Sequence, residues 1–275
     1  MISIITAVHN QLEMNKLFAE NLRKYTYHPY ELIIIDNNST DGSREFFKSI
    51  GAHVIENSGN YSYPYTQNQG IEIAKYDTYG FLNNDIIVAP HWDKHLIDAM
   101  KENGLNIITC CGIERVESPA ITKYYGRRWK FIKNVIGGMI GKSSARQLSI
   151  LHKLMYGNWE RFSDKRFRKF KHQVVEGFVG NTVVFDKTAI EKIGLWDNRI
   201  QAADFDLYMR SRKRYMEQGD LKPCHIALGV FNHHFIRLTQ KSKPPVFSDA
   251  SNMTSLEAKW GQEALDKYLQ YNVST

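Results

Sequence analysis

Residues 31–43 read ELIIIDNNSTDGS, and the change of character inside this stretch decides the fold. Glu31–Ile35 is a short apolar run with three consecutive isoleucines, the composition of a strand buried on both faces. It stops at Asp36, and turn-forming and helix-capping residues then continue without interruption to Ser43. An apolar strand that ends in a capping cluster is the strand-to-helix turn of a βα unit.

The same pattern extends on both sides. Upstream, Ile2–Val8 (ISIITAV) is a second doubly buried strand, and Leu12–Tyr25 places Leu12, Leu17, Phe18 and Leu22 at helical spacing. Downstream come a helix over Ser43–Ile50, a strand at His53–Ile55, a helix at Thr66–Ala74 and a strand at Tyr79–Leu82. That strand is stopped by Asn83-Asn84-Asp85, and Leu105–Cys111 reads as a fifth strand. Strands alternating with helices imply a mostly parallel, Rossmann-like sheet flanked by helices, with right-handed crossovers. Ligands of such sheets bind outside the carboxyl ends of the strands. Here those ends are Val8-His9-Asn10, Asp36–Ser39, Gly59-Asn60 and Asn83–Asp85, all polar.

Regularity breaks after Cys111 and returns at Glu176–Asp186, read as a single strand. A helix over Lys187–Ile193, a turn at Gly194–Asp197, a helix from about Asp204 to Glu217 and a strand at Pro223–Val230 follow. Asn232-His233-His234 comes directly after that strand, and the amphipathic stretch Met253–Tyr268 reads as a last helix.

Composition narrows the function classes. With 275 residues, 43% hydrophobic and 24% charged, the chain has ample apolar material for a packed core, which excludes disorder as its main state. No stretch approaches the ~18 uncharged apolar residues of a spanning helix. With a strand read from Ile2 onward, no cleavable leader is expected. Cys110, Cys111 and Cys224 have no metal-ligand spacing and read as buried thiols in a reducing compartment, so a cytoplasmic location is expected.

The net charge of +7 is uneven. Lys123–His172 holds 14 Lys and Arg against Glu160 and Asp164, a net +12; the remainder carries 22 against 27, a net −5. Aromatic residues interleave with the basic ones, most densely at Lys165-Arg166-Phe167-Arg168-Lys169-Phe170-Lys171. This pattern suits a phosphate-bearing polymer such as nucleic acid. It also suits an anionic membrane surface that carries a lipid-linked acceptor, with the protein peripheral to the inner face. An ordinary solvated helical face is the plain alternative.

The loop after the first strand, Ala7-Val8-His9-Asn10-Gln11, has no Gly-x-Gly-x-x-Gly, and no Walker P-loop occurs. A diphosphate would therefore need a device other than a glycine cradle. Asp85, at the end of a buried strand, projects at the ligand-binding edge, where a carboxylate can hold Mg²⁺ or Mn²⁺ and the ion can bridge diphosphate oxygens. The bland reading of Asn83-Asn84-Asp85 is a turn with a cap.

Taken in order, Ile2–Asn10, Asp36–Ser43, Asn68-Gln69-Gly70, Phe81–Asp85 and Gly180–Asp197 resemble glycosyltransferase family 2. The resemblance covers roughly residues 2–112 and 176–240. It implies a GT-A fold, with a nucleotide-sugar-binding half over 1–112, a basic acceptor-side insertion over 113–175 and an acceptor and catalytic half over 176–275. It implies an inverting, metal-dependent transfer from a nucleoside diphosphate sugar, UDP ahead of GDP, to a hydroxyl of an anionic glycan, lipid-linked glycan or other polymer. Asp36 would contact the base. Thr6, Val8, Asn10, Asn38, Asn68, Asn83 and Asn84 would line the nucleotide-sugar site. Asp85 and a histidine would hold Mn²⁺ or Mg²⁺. Adjacent histidines of an extended segment cannot both point inward, so His234 is taken as the ligand ahead of His233.

Gly180 and Trp196 would lie on the acceptor side with Lys165, Arg166 and Arg168. The family's Glu-Asp pair reads Ala203-Asp204 here, which keeps Asp204 as the base that deprotonates the acceptor hydroxyl. Asp206, two residues on, faces elsewhere and can pair with Arg210. Two rivals stay open. One is a glycosyltransferase acting on modified nucleic-acid bases, suggested by the basic segment. The other is a non-catalytic binding module, suggested by Ala203 and Asn83.

Overall fold

The computed structural model describes residues 1–136, 144–236 and 245–269. In chain order the elements are β1 (Ile2–Val8), α1 (Leu12–Tyr25), β2 (Tyr30–Asn37), α2 (Ser43–Ser49), β3 (His53–Asn57), α3 (Tyr63–Ile73), β4 (Thr78–Leu82) and β5 (Ile86–Ile87). Next come α4 (Trp92–Asn103), β6 (Ile107–Cys111), α5 (Pro119–Phe131) with a π-helical extension (Ile132–Ile136), α6 (Ala145–Tyr156), α7 (Trp159–Phe170), β7 (Val174–Glu176) and β8 (Thr182–Asp186). The chain continues through α8 (Lys187–Ile193), α9 (Ala203–Gln218), β9 (His225–Phe231), β10 (His233–His234) and α10 (Leu256–Tyr268).

Eight strands form one sheet in the order β3-β2-β1-β4-β8-β6-β9-β7. β1 pairs in parallel with β2 and β4, as do β2 with β3 and β6 with β9. β8 runs antiparallel between β4 and β6, and β7 runs antiparallel beside β9. The central strands are apolar on both faces because both faces are covered. Ile2, Ile4 and Ile34 pack with α1 and α4, whereas Ile5, Ile33 and Ile35 pack on the side of Trp196 and α9. α3 lies close against β1: a Cβ on Gly70 would come within 2.3 Å of Ile5 Cγ2. Only glycine permits that approach.

Glu176–Asp186 is not one strand. β7 pairs with β9, while β8 is inserted between β4 and β6, so the chain must cross from one part of the sheet to another. It does so through residues 177–181, starting at Gly177 with φ 137°. α4 went unread in the sequence, although Trp92, Leu96, Ala99 and Met100 bury one helical face. The irregular-looking basic segment forms α5, α6 and α7, with buried Trp129, Leu148, Leu151, Met155 and Trp159 facing the core. Among the described residues no helix is long and apolar enough to cross a membrane. All three cysteines are free and buried.

Candidate functional site

Two adjoining cavities open at the carboxyl ends of β1, β2 and β4. The first, about 430 Å³, is lined by Val8, His9, Asn37, Asn60, Tyr61, Asn83, Asn84 and Asp85, which is ligand-sized. The second is lined by Glu114, Arg115, Phe178, Gly180, Asn181 and Asp204. Tyr63, Asn83, Gln201 and His234 line both, so the two are one continuous cleft.

Strand register builds its centre. β10 pairs antiparallel with β5, His234 opposite Ile86 and His233 opposite Ile87. Phe235 N–H donates to the Asp85 carbonyl at 2.9 Å. Alternation along β10 then sends the two histidines to opposite sides. His233 is fully buried, with Nδ1 2.9 Å from Tyr156 Oη and its ring edge-on to Trp129. Burial pushes its pKa well down. His234 faces the cleft, with Nε2 3.1 Å from Asp85 Oδ1 and Nδ1 on Glu114 Oε1. Burial opposes its protonation, but the Asp85 charge and the bonds to Asp85 and Glu114 prevail and raise its pKa to about 10.

The donor set bears on a metal. Asp85 Oδ1 and His234 Nε2 stand 3.1 Å apart as an ion pair, and a divalent ion bound there would displace the proton that His234 carries. Glu114 holds the far nitrogen of His234, the carboxylate–histidine arrangement that orients a ligating ring. Among the described residues no group of three or more His, Cys, Asp or Glu is arranged to hold an ion. Asp85 and His234 would therefore hold an ion only together with ligands from water and substrate phosphates.

Asp204 stands at the first turn of α9, in the second cavity. Desolvation raises its pKa, against the Phe205 N–H that donates to Oδ1 at 3.0 Å. Gly180 makes room for it, since a Cβ there would lie 2.4 Å from Asp204 Oδ2. Asp206 turns away and is held by Arg210 (2.8 Å), Lys259 (2.6 Å) and Trp260 Nε1 (2.8 Å). A half-buried carboxylate with a raised pKa beside an open cavity can take a proton from a hydroxyl.

The other sequence-derived positions divide. Val8, Asn83 and Asn84 line the first cavity. Thr6 is buried beneath it, and Thr6 Oγ1 has no bonding partner among the described residues. Asp36 is fully buried, paired with Arg44 at 2.6 Å and accepting from Ser39 N–H. Asn10 and Asn38 adopt left-handed turns, and Asn10 Oδ1 accepts from Thr40 N–H. Asn68 fastens the turn at residues 196–198, donating to Trp196 O (2.8 Å) and Asn198 Oδ1 (2.6 Å). Trp196 is buried against Tyr63 and Phe81. Lys165 and Arg168 are exposed on α7, and Arg166 is buried against Glu117 (2.9 Å) and Cys111 Sγ (3.2 Å). Among the described residues, none of the basic segment lines either cavity.

Several lining residues carried no sequence signal. Tyr63 contacts both cavities, and its buried hydroxyl has no bonding partner among the described residues. Asn37 is held by Asn57, Asn60 and the Tyr61 carbonyl. Phe247 reaches the first cavity because residues 245–249 are tied down there. Asn60 donates to the Pro245 carbonyl (2.7 Å), and Asp249 accepts from Ser62 Oγ (2.6 Å). These pairs are about 185 residues apart in sequence, which no local pattern reveals.

A family model for Glycosyl transferase family 2 matches residues 3–194. No curated protein matches. Among solved structures, the chain is similar to the mannosyltransferase PcManGT from Pyrobaculum calidifontis in complex with GDP-Man and Mn²⁺, at 13% identity and a TM-score of 0.53. That match covers 86% of this chain and 57% of the other. It is also similar to S. aureus TarS 1–349 in complex with UDP, at 12% identity and a TM-score of 0.51, covering 84% of this chain and 60% of that one. The chain thus spans less than two thirds of either structure, and the likeness at these identities concerns the fold.

Proposed function

This chain belongs to glycosyltransferase family 2 and has the GT-A fold, and we propose that it transfers a sugar from a nucleoside diphosphate sugar to an acceptor hydroxyl with inversion at the anomeric carbon. The observation that carries the reading is the position of Asp204 across a continuous cleft from Asp85 and His234. The first cavity would take the donor. Asn37, Asn60 and Tyr61 supply polar and aromatic surface for a nucleoside, with UDP the first nucleotide to try. The Mn²⁺ and GDP-Man of the Pyrobaculum relative and the UDP of TarS support a nucleotide donor with a divalent ion.

The acceptor hydroxyl would enter the second cavity. Asp204 takes its proton as the oxygen bonds to the anomeric carbon on the face opposite the diphosphate, and the sugar–diphosphate bond breaks in the same displacement. A raised pKa suits this task, because a desolvated carboxylate is a better base than a solvated one. Mg²⁺ or Mn²⁺ on Asp85 and His234 would supply Lewis-acid stabilisation of the departing diphosphate. Glu114 keeps the His234 ring in orientation. Arg115 lines the acceptor cavity, and its charge suits an acceptor bearing an anionic group.

The test is thermal stabilisation by UDP, GDP, CMP and TDP, each with Mn²⁺ and with EDTA. A ligand at 100 times its dissociation constant adds about 2.7 kcal/mol. Metal-dependent stabilisation by one nucleotide is the expected outcome and fixes the donor class. Absence of stabilisation by all four would overturn the reading in favour of a non-catalytic module.

A further inference from the structure

Between Ala120 and Tyr156 the sequence contains eight Lys and Arg and no acidic residue. The described residues of this segment are arranged in a way that none of the site chemistry uses. On α5 and its π-helical extension, Thr122, Tyr125, Trp129 and Ile132 face inward. Beside them runs an exposed stripe at intervals of three, seven and four residues: Ile121, Tyr124, Phe131 and Val135, with Phe131 60% and Tyr124 53% exposed. Such spacing places side chains on one helical face. α6 extends the patch with exposed Ile150 and Leu154. Arg128 joins the two helices, donating to Tyr124 Oη (3.2 Å) and to the Leu154 carbonyl (3.0 Å). Lys123, Arg127 and Lys130 lie on the outer flank of α5, and Arg146 and Lys153 on that of α6, all exposed.

We propose that this face of α5 and α6 is a docking surface for an anionic lipid bilayer. Grouped exposed apolar side chains on a soluble fold mark an interaction site. The flanking charged side chains of α5 and α6 are all basic, and charge complementarity names the occupant. An apolar stripe inserts at the headgroup–acyl boundary while flanking Lys and Arg meet anionic headgroups. Tyr and Phe suit that boundary, and Arg and Lys can extend along it. The aliphatic members decide against a nucleic acid. Ile121, Val135, Ile150 and Leu154 offer no ring on which a base can stack, and stacking platforms are what single-strand binders present. The helix that carries the stripe also ends near the cleft: Lys133 Nζ donates to the carbonyl of Ile236 (3.4 Å), which lines the first cavity. An acceptor held at a bilayer would therefore meet the protein near its site.

The experiment is flotation of the full chain with phosphatidylcholine vesicles, with and without phosphatidylglycerol, at low and high salt. Binding at least about tenfold stronger to the anionic vesicles, weakened by salt, is expected. Tyr124→Ser with Phe131→Ser should abolish it at low salt, and Lys130→Glu with Lys153→Glu should abolish it independently. Unchanged melting temperatures for both variants exclude misfolding, since all four side chains are exposed. No flotation of the wild-type chain, or flotation unaffected by either pair, would overturn the proposal. Tight binding to single-stranded DNA that the apolar pair leaves intact, without vesicle binding, would overturn it in favour of a nucleic-acid surface. No nucleotide is present in the assay, so failure here leaves the donor reading standing, and the reverse holds.

Discussion

The Asp204 carboxylate fills the space that a side chain at Gly180 would need, because a Cβ there would come within 2.4 Å of Oδ2. Gly180 has no left-handed φ that would demand glycine for conformational reasons. Its role is clearance. Gly180→Ala is expected to displace Asp204 and to lower kcat by on the order of a hundredfold, as small misplacements of reacting groups do. Nucleotide binding in the first cavity should be unchanged. Steady-state kinetics together with nucleotide titration checks this, and equal loss in both would show a general disturbance instead.

Asp204→Asn separates stability from activity. The raised pKa means that the folded state pays to ionise this carboxyl, and the penalty is fully present above the folded pKa. Below the unfolded value of 3.8 the group is protonated in both states and the penalty vanishes. The amide variant should therefore be more stable at neutral pH, by about 1 kcal/mol or ~2–4 °C, and no more stable near pH 3. Transfer should be lost with nucleotide binding kept. In the wild type, kcat/KM should fall on the acid side at a higher pH than an ordinary aspartate dictates. Wild-type turnover in the variant would remove Asp204 from catalysis.

Asp85→Ala and His234→Ala should each abolish the Mn²⁺-dependent part of nucleotide stabilisation. Glu114→Gln should weaken it about 10–100-fold in metal affinity, because it loosens the His234 ring without removing a ligand. Calorimetric Mn²⁺ titration in the presence of nucleotide distinguishes these variants. Wild-type affinity in Asp85→Ala would move the ion elsewhere.

Tyr63→Phe removes a buried hydroxyl that has no bonding partner among the described residues. Deleting an unsatisfied buried polar group should leave stability unchanged or raise it by about 1–3 kcal/mol. Tyr63 lines both cavities and its hydroxyl lies within electrostatic reach of the Asp204 carboxylate, so kcat should fall on the order of tenfold. Thermal melting and initial rates of one preparation check both signs at once. An unaltered rate would show that the hydroxyl is idle.

Much of the strand-end layout was legible because its signals are local. The strand ends at Val8, Asp36 and Asp85 are marked by abrupt changes from apolar to turn residues, and the structure puts all three at one sheet edge. The alternation rule separated His234 from His233, and helical spacing separated Asp204 from Asp206. What stayed hidden depends on distant pairing. Glu114 meets His234 across 120 residues of sequence. Arg166, which reads as one more charge in a basic run, is buried against Glu117 and Cys111, and nothing adjacent to it announces that. The break at Gly177 was invisible for the same reason. It is required only because β7 and β8 find different partners.

The placement of β8 bears on how the chain is made. During synthesis β4 and β6 leave the ribosome well before β8, which must lie between them. Until then each has an open edge and no partner on that side, and the α5–α7 segment must pass first. The sheet cannot close progressively from the N-terminus. The nascent chain holds a half-built, adhesive intermediate for the time needed to translate from Gly112 to Phe231, so chaperone demand and aggregation risk should peak in that interval rather than after release.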